Sequence, residues 1–309
     1  MLGRLLRQLR SPRPVRLATS VSVGMAAHGN SATTRRALEA LLVSANGDFE
    51  LLLVDDCSPD DTLAVFREVR RWHANTRVFA FSRNLEYCES VNAILSHARG
   101  DRVLFLSNDI HASPAYLREL LAAAEAHPDC GILRGCSNFV DNGSADHNVA
   151  IGRCETRDDY FRFAERIAAQ HRGDALLDDR FLVGDAFLVT RRVLACIGTF
   201  DTRFRGYYGD CDFGLRARIA GFRVALQRRA FAFHERDANV DYLPEAERLE
   251  KVRRRHARVA AALREFQRKY GLELADASVH DLPWEALARR PFDPALHRIA
   301  PKDYAEYLD

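Results

Sequence analysis

A carboxylate that follows a strand can finish a turn or hold a cation, and this chain has two such places. Leu51-Leu52-Leu53-Val54 runs into Asp55 and Asp56, and Arg102–Leu106 runs into Ser107-Asn108-Asp109. Asp109 beside Asn108 and Ser107 offers hard oxygen donors of the kind Mg²⁺ and Mn²⁺ take, commonly in a shell shared with substrate phosphates. Asn-Asp after a strand is equally ordinary turn chemistry, so both readings stand. His234 closes an apolar segment, Ala230–Phe233. An imidazole there is either a satisfied core or capping residue or a metal ligand. Asp210 and Asp212 open a helical segment, where acids favour the helix dipole and cap the first turn. The seven cysteines (57, 88, 130, 136, 154, 196 and 211) are odd in number and include no C-x2-C pair. They read as reduced thiols of a cytosolic protein rather than a disulfide framework or a zinc site.

The elements that must position these residues follow from periodicity. Leu17–Met25 alternates as a strand, Ala26–Asn30 is a turn, and Thr33–Ala45 is a helix burying Ala37, Leu38, Leu41 and Leu42. Phe49–Val54 is a continuous apolar run, the mark of a strand covered on both faces of a parallel sheet. A helix over Leu63–Ala74, a strand over Arg77–Ser82, a helix over Ser90–Ala98, the strand Arg102–Leu106 and a helix over Pro114–Ala126 follow. Strand and helix thus alternate at βαβ spacing, which predicts an α/β fold with a mostly parallel central sheet and helices on both faces. Ligands of such sheets bind beyond the carboxyl ends of the strands, so acids exposed at two strand ends are the first functional signal.

The middle is less regular. Gly131–Arg134 reads as a strand, Cys136–Ile151 as a polar loop, Phe181–Thr190 as a strand, Arg191–Ile197 as a short helix and Asp201–Gly209 as an aromatic loop. Asp210–Ala220 is a helix, and Phe222–Leu226 and Ala230–Phe233 are two strands. From Pro244 to Tyr270 a long helix carries nine Lys/Arg against four Glu, and the remaining residues form a polar, Pro-interrupted tail. Three parts are expected: a basic amphipathic segment over 1–16, the main α/β domain over 17–240, and a C-terminal helical extension with its tail over 241–309. In the first, Arg4, Arg7 and Arg10 recur between Leu2, Leu5, Leu6 and Leu9, which suits either an anionic membrane surface or a solvated terminus.

Composition bounds the classes. Of 309 residues, 47% are hydrophobic and 28% charged, which is globular composition. Lys+Arg 45 against Asp+Glu 43 leaves a net charge of +2, without the basic excess of a nucleic-acid binder. No apolar run reaches the length of a membrane span, and Met1–Arg16 lacks the apolar region of a secretory signal. The expectation is a cytoplasmic protein.

Taken together, five blocks in order over about residues 19–235 resemble the family 2 glycosyltransferases, inverting enzymes of the GT-A fold. Val54-Asp55-Asp56-Cys57-Ser58-Pro59-Asp60-Asp61-Thr62 is similar to that family's V-D-D-x-S-x-D-x-T segment. Asn84-Leu85-Glu86, Asn92, Ala98, Gly100-Asp101 and Phe105-Leu106 resemble its N-x-G…N-x-G…A-x-G-D-x-x-x-F-L stretch, and Ser107-Asn108-Asp109 falls where its D-x-D-type metal motif stands. Gly184–Arg192 with Gly198-Thr199-Phe200-Asp201 resembles its G-x-x-x-x-x-R-R…G-x-F-D block. Gly209-Asp210-Cys211-Asp212-Phe213 through Arg216 and Ala220-Gly221-Phe222 resembles its E-D-x-D-L-x-x-R…A-G-Y signature.

The resemblance implies a nucleotide-sugar donor, for which UDP is the expectation, a divalent Mn²⁺ or Mg²⁺, and a glycan or lipid-linked acceptor. The absence of a membrane span, with the basic N-terminus and the basic helix at 248–269, fits a cytoplasmic enzyme visiting the inner leaflet of a membrane; the alternative for that helix is packing on the catalytic domain or on another subunit. The resemblance implies roles too: Asp56 on the base, the backbone at Ala27 beside it, Arg83 near the base or diphosphate, Asn108 and Asp109 at the diphosphate. It makes Asp109 a metal ligand with His234 as a further one, Asp210 the general base of a single displacement, and Asp185 a group facing sugar or acceptor. The chain departs from the pattern at Ala26-Ala27-His28-Gly29-Asn30, which replaces P-x-Y-N, at Asn108 in place of an Asp, and at Gly209 in place of an acid. A catalytically inactive nucleotide-sugar-binding subunit is the alternative. A sugar-1-phosphate nucleotidyltransferase fits less well, for lack of a Gly-rich, Arg-containing loop near residue 26.

Overall fold

The computed structural model describes residues 13–140, 143–152, 154–171, 175–235, 245–273 and 278–309. The chain opens with β1 (Val15–Arg16), β2 (Val21–Ala27), α1 (Ser31–Ser44), β3 (Ala45–Asn46), β4 (Glu50–Asp55), α2 (Thr62–Trp72), β5 (Thr76–Ala80) and α3 (Glu86–His97). It continues with β6 (Arg102–Ser107), β7 (Ile110–His111), α4 (Pro114–Ala126), β8 (Cys130–Ser137), α5 (Arg157–Gln170), β9 (Leu176–Asp178), β10 (Ala186–Thr190), α6 (Arg191–Ile197) and α7 (Gly209–Ile219). Strand β11 (Arg223–His234), α8 (Glu245–Tyr270), α9 (Trp284–Ala288) and α10 (Pro294–His297) complete it. Most of the basic 1–16 segment lies outside the described residues, and its last two residues belong to the body, where β1 pairs with β3.

Strand order in the main sheet is β5-β4-β2-β6-β10-β8-β11-β7, with β9 on β11. Strands β5, β4, β2 and β6 run parallel, so their carboxyl ends open on one edge. Strand β10 runs antiparallel between β6 and β8. Its amino end therefore lies beside the carboxyl end of β6, and Ser107 N–H donates to the Asp185 carbonyl at 2.8 Å. That reversal carries Asp185 to the edge where Asp55 and Asp109 already stand. Both faces of the sheet are covered. One buries Ile94, Phe105, Phe187, Phe200 and Phe213 beneath α3, α6 and α7. The other buries Leu38, Phe66, Leu104, Tyr116 and Leu117 beneath α1, α2 and α4.

The structure corrects the reading in four places. The segments Phe222–Leu226 and Ala230–Phe233 are one strand, β11, whose register against β8 shifts between Gln227 and Phe231. The irregularity admits the charged Arg228-Arg229 pair that made the sequence look interrupted. The strand expected from Phe181 starts only at Ala186, because 181–185 turns to bring Gly184 and Asp185 to the sheet edge. Helix α5 was not anticipated, although Thr156 and Asp159 form a reciprocal capping box and Tyr160, Phe161, Ala164, Ile167 and Ala168 recur at helical spacing within its charged stretch. Finally, Asp55 and Asp56 are not exposed acids but 3% and 4% accessible.

The C-terminal residues close over the body. Helix α8 seats Ala262, Phe266 and Tyr270 in the core, and Trp284, Leu287 and Tyr304 follow them. Ile299 bridges to Gly198, and Leu308 bridges to Phe79 of β5.

Candidate active site

The ends of β2 and β4 are laced together before any ligand is considered. Asp56 N–H donates to the Ala27 carbonyl at 2.8 Å, and the exposed His28 ring holds the Asp56 carbonyl through Nδ1 at 2.7 Å. Gly29 N–H donates to Ser58 Oγ at 2.8 Å and Ser31 N–H to Asp60 Oδ2 at 2.9 Å, tying the first loop to the second. The Asp56 carboxylate accepts from the N–H groups of Leu85 (2.6 Å) and Glu86 (2.9 Å). Burial raises its pKa while these two backbone donors restrain it. Asp55 accepts from Ser58 N–H through Oδ2, and its buried Oδ1 has no hydrogen-bond partner. Arg83 stands exposed in the loop before α3.

The Ser107-Asn108-Asp109 corner meets His234. His234 Nε2 lies 3.2 Å from Asp109 Oδ2 and Nδ1 lies 2.9 Å from the Phe139 carbonyl. Burial disfavours charge on this ring, but the Asp109 hydrogen bond and the charges of Asp109 and Asp185 outweigh it, carrying its pKa up to about 9. Asp185 Oδ2 sits 3.9 Å from His234 Nδ1 and is itself buried without a hydrogen bond. Its Oδ1 accepts from Ala186 N–H at 2.8 Å and pairs with Arg134 Nη2 at 3.0 Å. Arg134 is 1% exposed, a charge inside an otherwise apolar strand, and its remaining donors reach the carbonyls of Gly135 and Val183. A cation in a strand core must find a buried anion, which is the signal that reading the strand alone overlooked. Asn108 donates through Nδ2 to Thr34 Oγ1 at 2.9 Å, so its carbonyl oxygen is the group it offers outward.

Asp210 lies in the first turn of α7, partly buried. Gly184 N–H donates to Oδ2 at 2.7 Å and Cys211 N–H to Oδ1 at 2.9 Å. Burial pushes its pKa up, the backbone donors oppose this, and the Asp185 charge adds to the rise. A cleft of about 200 Å³ opens over it, lined by Tyr87, Phe181, Asp185, Tyr207, Tyr208 and others, with Val259 of α8 at one side. Ser107 and Asp185 line the same cleft, whereas Asn108, Asp109 and His234 are not among its lining residues. Tyr87 donates its hydroxyl to the Gly184 carbonyl at 2.6 Å. A Cβ on Gly184 would fall 2.3 Å from that hydroxyl and 2.8 Å from Asp210 Cβ, so this position must be glycine. The aromatic wall was legible only as an aromatic loop, because nothing in Tyr207-Tyr208 says which way the loop faces.

Left-handed backbone gathers around these loops: Asn30, Cys57, Glu86, Arg205 and Tyr208 all have φ between 57° and 71°. Non-glycine residues in that region carry strain of about 1 kcal/mol or more each, and such residues concentrate at functional sites. Glu86 occupies the glycine place of the N-x-G pattern and is held there by its N–H bonds to Asp56 and Asn84.

Comparison with known proteins bears on the family and the fold. EpsE of Bacillus subtilis (strain 168), provisionally named a glycosyltransferase, is 29% identical over 108 residues, 35% of this chain and 39% of that protein. The succinoglycan biosynthesis protein ExoO of Rhizobium meliloti (strain 1021) is 29% identical over 116 residues, 38% of this chain and 33% of that one. The chain thus spans well under half the length of the curated relatives it matches. In fold it is similar to the mannosyltransferase PcManGT of Pyrobaculum calidifontis, solved with GDP-Man and Mn²⁺, at TM-score 0.52 and 16% identity over 76% of this chain and 64% of that one. The mixed α/β sheet with helices on both faces is that of the GT-A glycosyltransferases. The model of glycosyl transferase family 2 matches residues 22–198, from β2 through α6, leaving Asp210 and His234 beyond its end. With more than half its length inside that match, from β2 through α6, this chain belongs to glycosyl transferase family 2.

Proposed function

We propose that the chain moves a sugar from a nucleoside diphosphate donor, UDP-linked, to a hydroxyl of a glycan or lipid-linked acceptor in the synthesis of a bacterial surface polysaccharide or lipopolysaccharide. The reaction is a single displacement that inverts the anomeric carbon. Asp210 supports this reading most directly: a partly buried carboxylate under a cleft lined also by Asp185 and Ser107.

The donor enters over the carboxyl ends of β2, β4 and β6. The base stacks at the His28 turn near Ala27, its ring N–H meeting the lone pairs of Asp56 that Leu85 and Glu86 leave open, while Arg83 approaches the diphosphate. Among the described residues no three His, Cys, Asp or Glu side chains form a preformed metal cage. The donor set nonetheless fits a divalent cation: a carboxylate and an imidazole nitrogen 3.2 Å apart, with the orphaned Asp185 oxygen behind them. Mg²⁺ and Mn²⁺ are typically held by one or two protein groups plus substrate phosphates, which is the number Asp109 and His234 supply. When bound, the ion neutralises the charge that builds on the departing nucleoside diphosphate. His234 must release its Nε2 proton to ligate, so its raised pKa ties donor binding to pH. Asp210 takes the proton of the attacking hydroxyl. Burial makes it a stronger base than a solvated Asp, and its two backbone donors fix the carboxylate plane without neutralising it.

The test is release of UDP from a panel of UDP-sugars with Mn²⁺. The wild type releases UDP from at least one donor and the Asp210→Asn variant does so at least 100-fold more slowly. Equal rates in both would move the reading to the inactive, nucleotide-sugar-binding subunit.

A further inference from the structure

One apolar stripe runs the length of α8 at alternating spacings of three and four: Leu249, Val252, His256, Val259, Leu263, Phe266 and Tyr270. Its burial changes along the way. Phe266 and Tyr270 are 0% and 1% accessible, Val259 and Leu263 are half-buried, and Leu249 and Val252 are 51% and 38% exposed. The stripe that docks the helix on the body therefore continues past the body's edge, over a projecting part roughly 20 Å long. Residues 252–258 are exposed on every face of the helix. In sequence the projecting part, 245–258, holds six Lys/Arg against Glu245, Glu247 and Glu250, and its last eight residues carry five of the cations (Lys251, Arg253, Arg254, Arg255 and Arg258) with no acid among them. Arg254 reaches back one turn to Glu250 at 2.7 Å.

We propose that this projecting part of α8 docks on an anionic lipid surface, with Leu249 and Val252 entering the interface and the arginines meeting lipid phosphates. Three observations select that occupant. A second copy pairing along the stripe would set Arg253 and Arg255, which flank it, against their own counterparts, and like charges across a seam are unfavourable. The uncovered seam from Leu249 to His256 spans about two turns, too short for a stable helix pair. Arginines radiating around a helix with a narrow apolar strip instead suit the headgroup region, where long cationic side chains keep their charge in water while their stems bury. The placement also has a consequence for the enzyme. Val259 lines the cleft, and Arg258 sits over the Tyr207 ring at 5.6 Å while pairing with Glu86 at 2.7 Å. A surface gripped by 249–256 therefore lies at the mouth of the cleft above Asp210. This docking rests on the α8 surface, whichever sugar is moved, and deepens the reading above only in where the acceptor is met.

The test is flotation of the full chain with vesicles of 70% phosphatidylcholine and 30% phosphatidylglycerol, against pure phosphatidylcholine. Wild type floats with the anionic vesicles and not with the neutral ones, and 0.5 M salt weakens the association. Arg253→Ala/Arg254→Ala/Arg255→Ala together lower the partition coefficient on the order of 100-fold, and Leu249→Asp/Val252→Asp abolishes it. These exposed positions leave the melting temperature and UDP binding unchanged, which separates this outcome from failure of the donor reading. Wild type that stays with the soluble fraction overturns the proposal. So does binding that survives both helix variants and is lost instead on Arg4→Ala/Arg7→Ala/Arg10→Ala.

Discussion

Asp210 illustrates how a residue's environment, rather than its type, decides what it can do. Its burial raises the pKa, so the ionised form the base needs is lost as pH falls through a value above the ordinary aspartate range. The predicted pH profile of kcat/KM therefore has an acid limb displaced upward, and a limb at the solvated aspartate value would contradict the assignment. Asp210→Asn keeps the side-chain shape and removes the proposed base. Turnover falls by roughly 10²–10⁴, while UDP binding with Mn²⁺, measured by calorimetry, stays within about twofold; stability drops by about 1–3 kcal/mol, because the amide nitrogen faces one of the two backbone N–H donors. At this scale the sequence was informative wherever chemistry and position coincide. Asp109 and His234, 125 residues apart, were both candidates and do meet. Arg134 and Tyr87 escaped notice because their importance lies in what they touch. The identity of the partner, Asp185 in one case and the Gly184 carbonyl in the other, is a product of the fold.

Among the elements, the turn before β10 leaves no room for a side chain at Gly184. Gly184→Ala forces a methyl against Tyr87 and Asp210, and should lower turnover by a larger factor than it lowers UDP affinity; an unchanged rate would mean the cleft floor is more compliant than its contacts suggest. Strand β11 makes a second, pH-dependent link. Glu235 at its end is bonded to His111, Arg36 and Thr33. Burial alone would raise its pKa, yet the hydrogen bonds to His111 and Arg36 and their charges bring it from 4.5 to about 2. Stability from this carboxylate is full above pH 4.5 and disappears as pH falls through about 2. Glu235→Gln should flatten that part of the melting temperature–pH curve. Because solvent reaches and screens part of this cluster, the loss at neutral pH is on the order of 2 kcal/mol. The βαβ rhythm was readable from the sequence because continuous apolar runs such as Leu51–Val54 permit few other placements. The bulge in β11 and the reversal at β10 were not, since direction and register are settled by neighbours a hundred residues away.

For the molecule as a whole, the C-terminal extension packs into the same core as the sheet. Lys269 Nζ reaches Asp212 Oδ1 at 2.6 Å and Asp201 Oδ2 at 3.0 Å, Tyr270 donates to Asp212 at 2.8 Å, and Arg216 pairs with the same carboxylate at 2.7 Å. Asp212, Arg216 and the Lys269 side chain are fully buried, so removing one partner strands a charge. Lys269→Met should destabilise the protein by about 3–5 kcal/mol in urea unfolding, and a near-neutral effect would show that water replaces the amine. The motif resemblance places Asp212 in a signature but says nothing of what holds it, and Asp212 and α8 both lie beyond the residues that the family model matches. At the centre of the proposed chemistry stands a nucleotide held through Asp109 and a divalent ion. The most direct test is calorimetric titration of UDP, GDP, dTDP and CDP with Mn²⁺ and again with EDTA, in wild type and in Asp109→Ala. UDP should bind wild type with Mn²⁺, and EDTA or Asp109→Ala should each weaken it at least tenfold. Binding of none of the four, or UDP binding indifferent to both EDTA and Asp109→Ala, would contradict it.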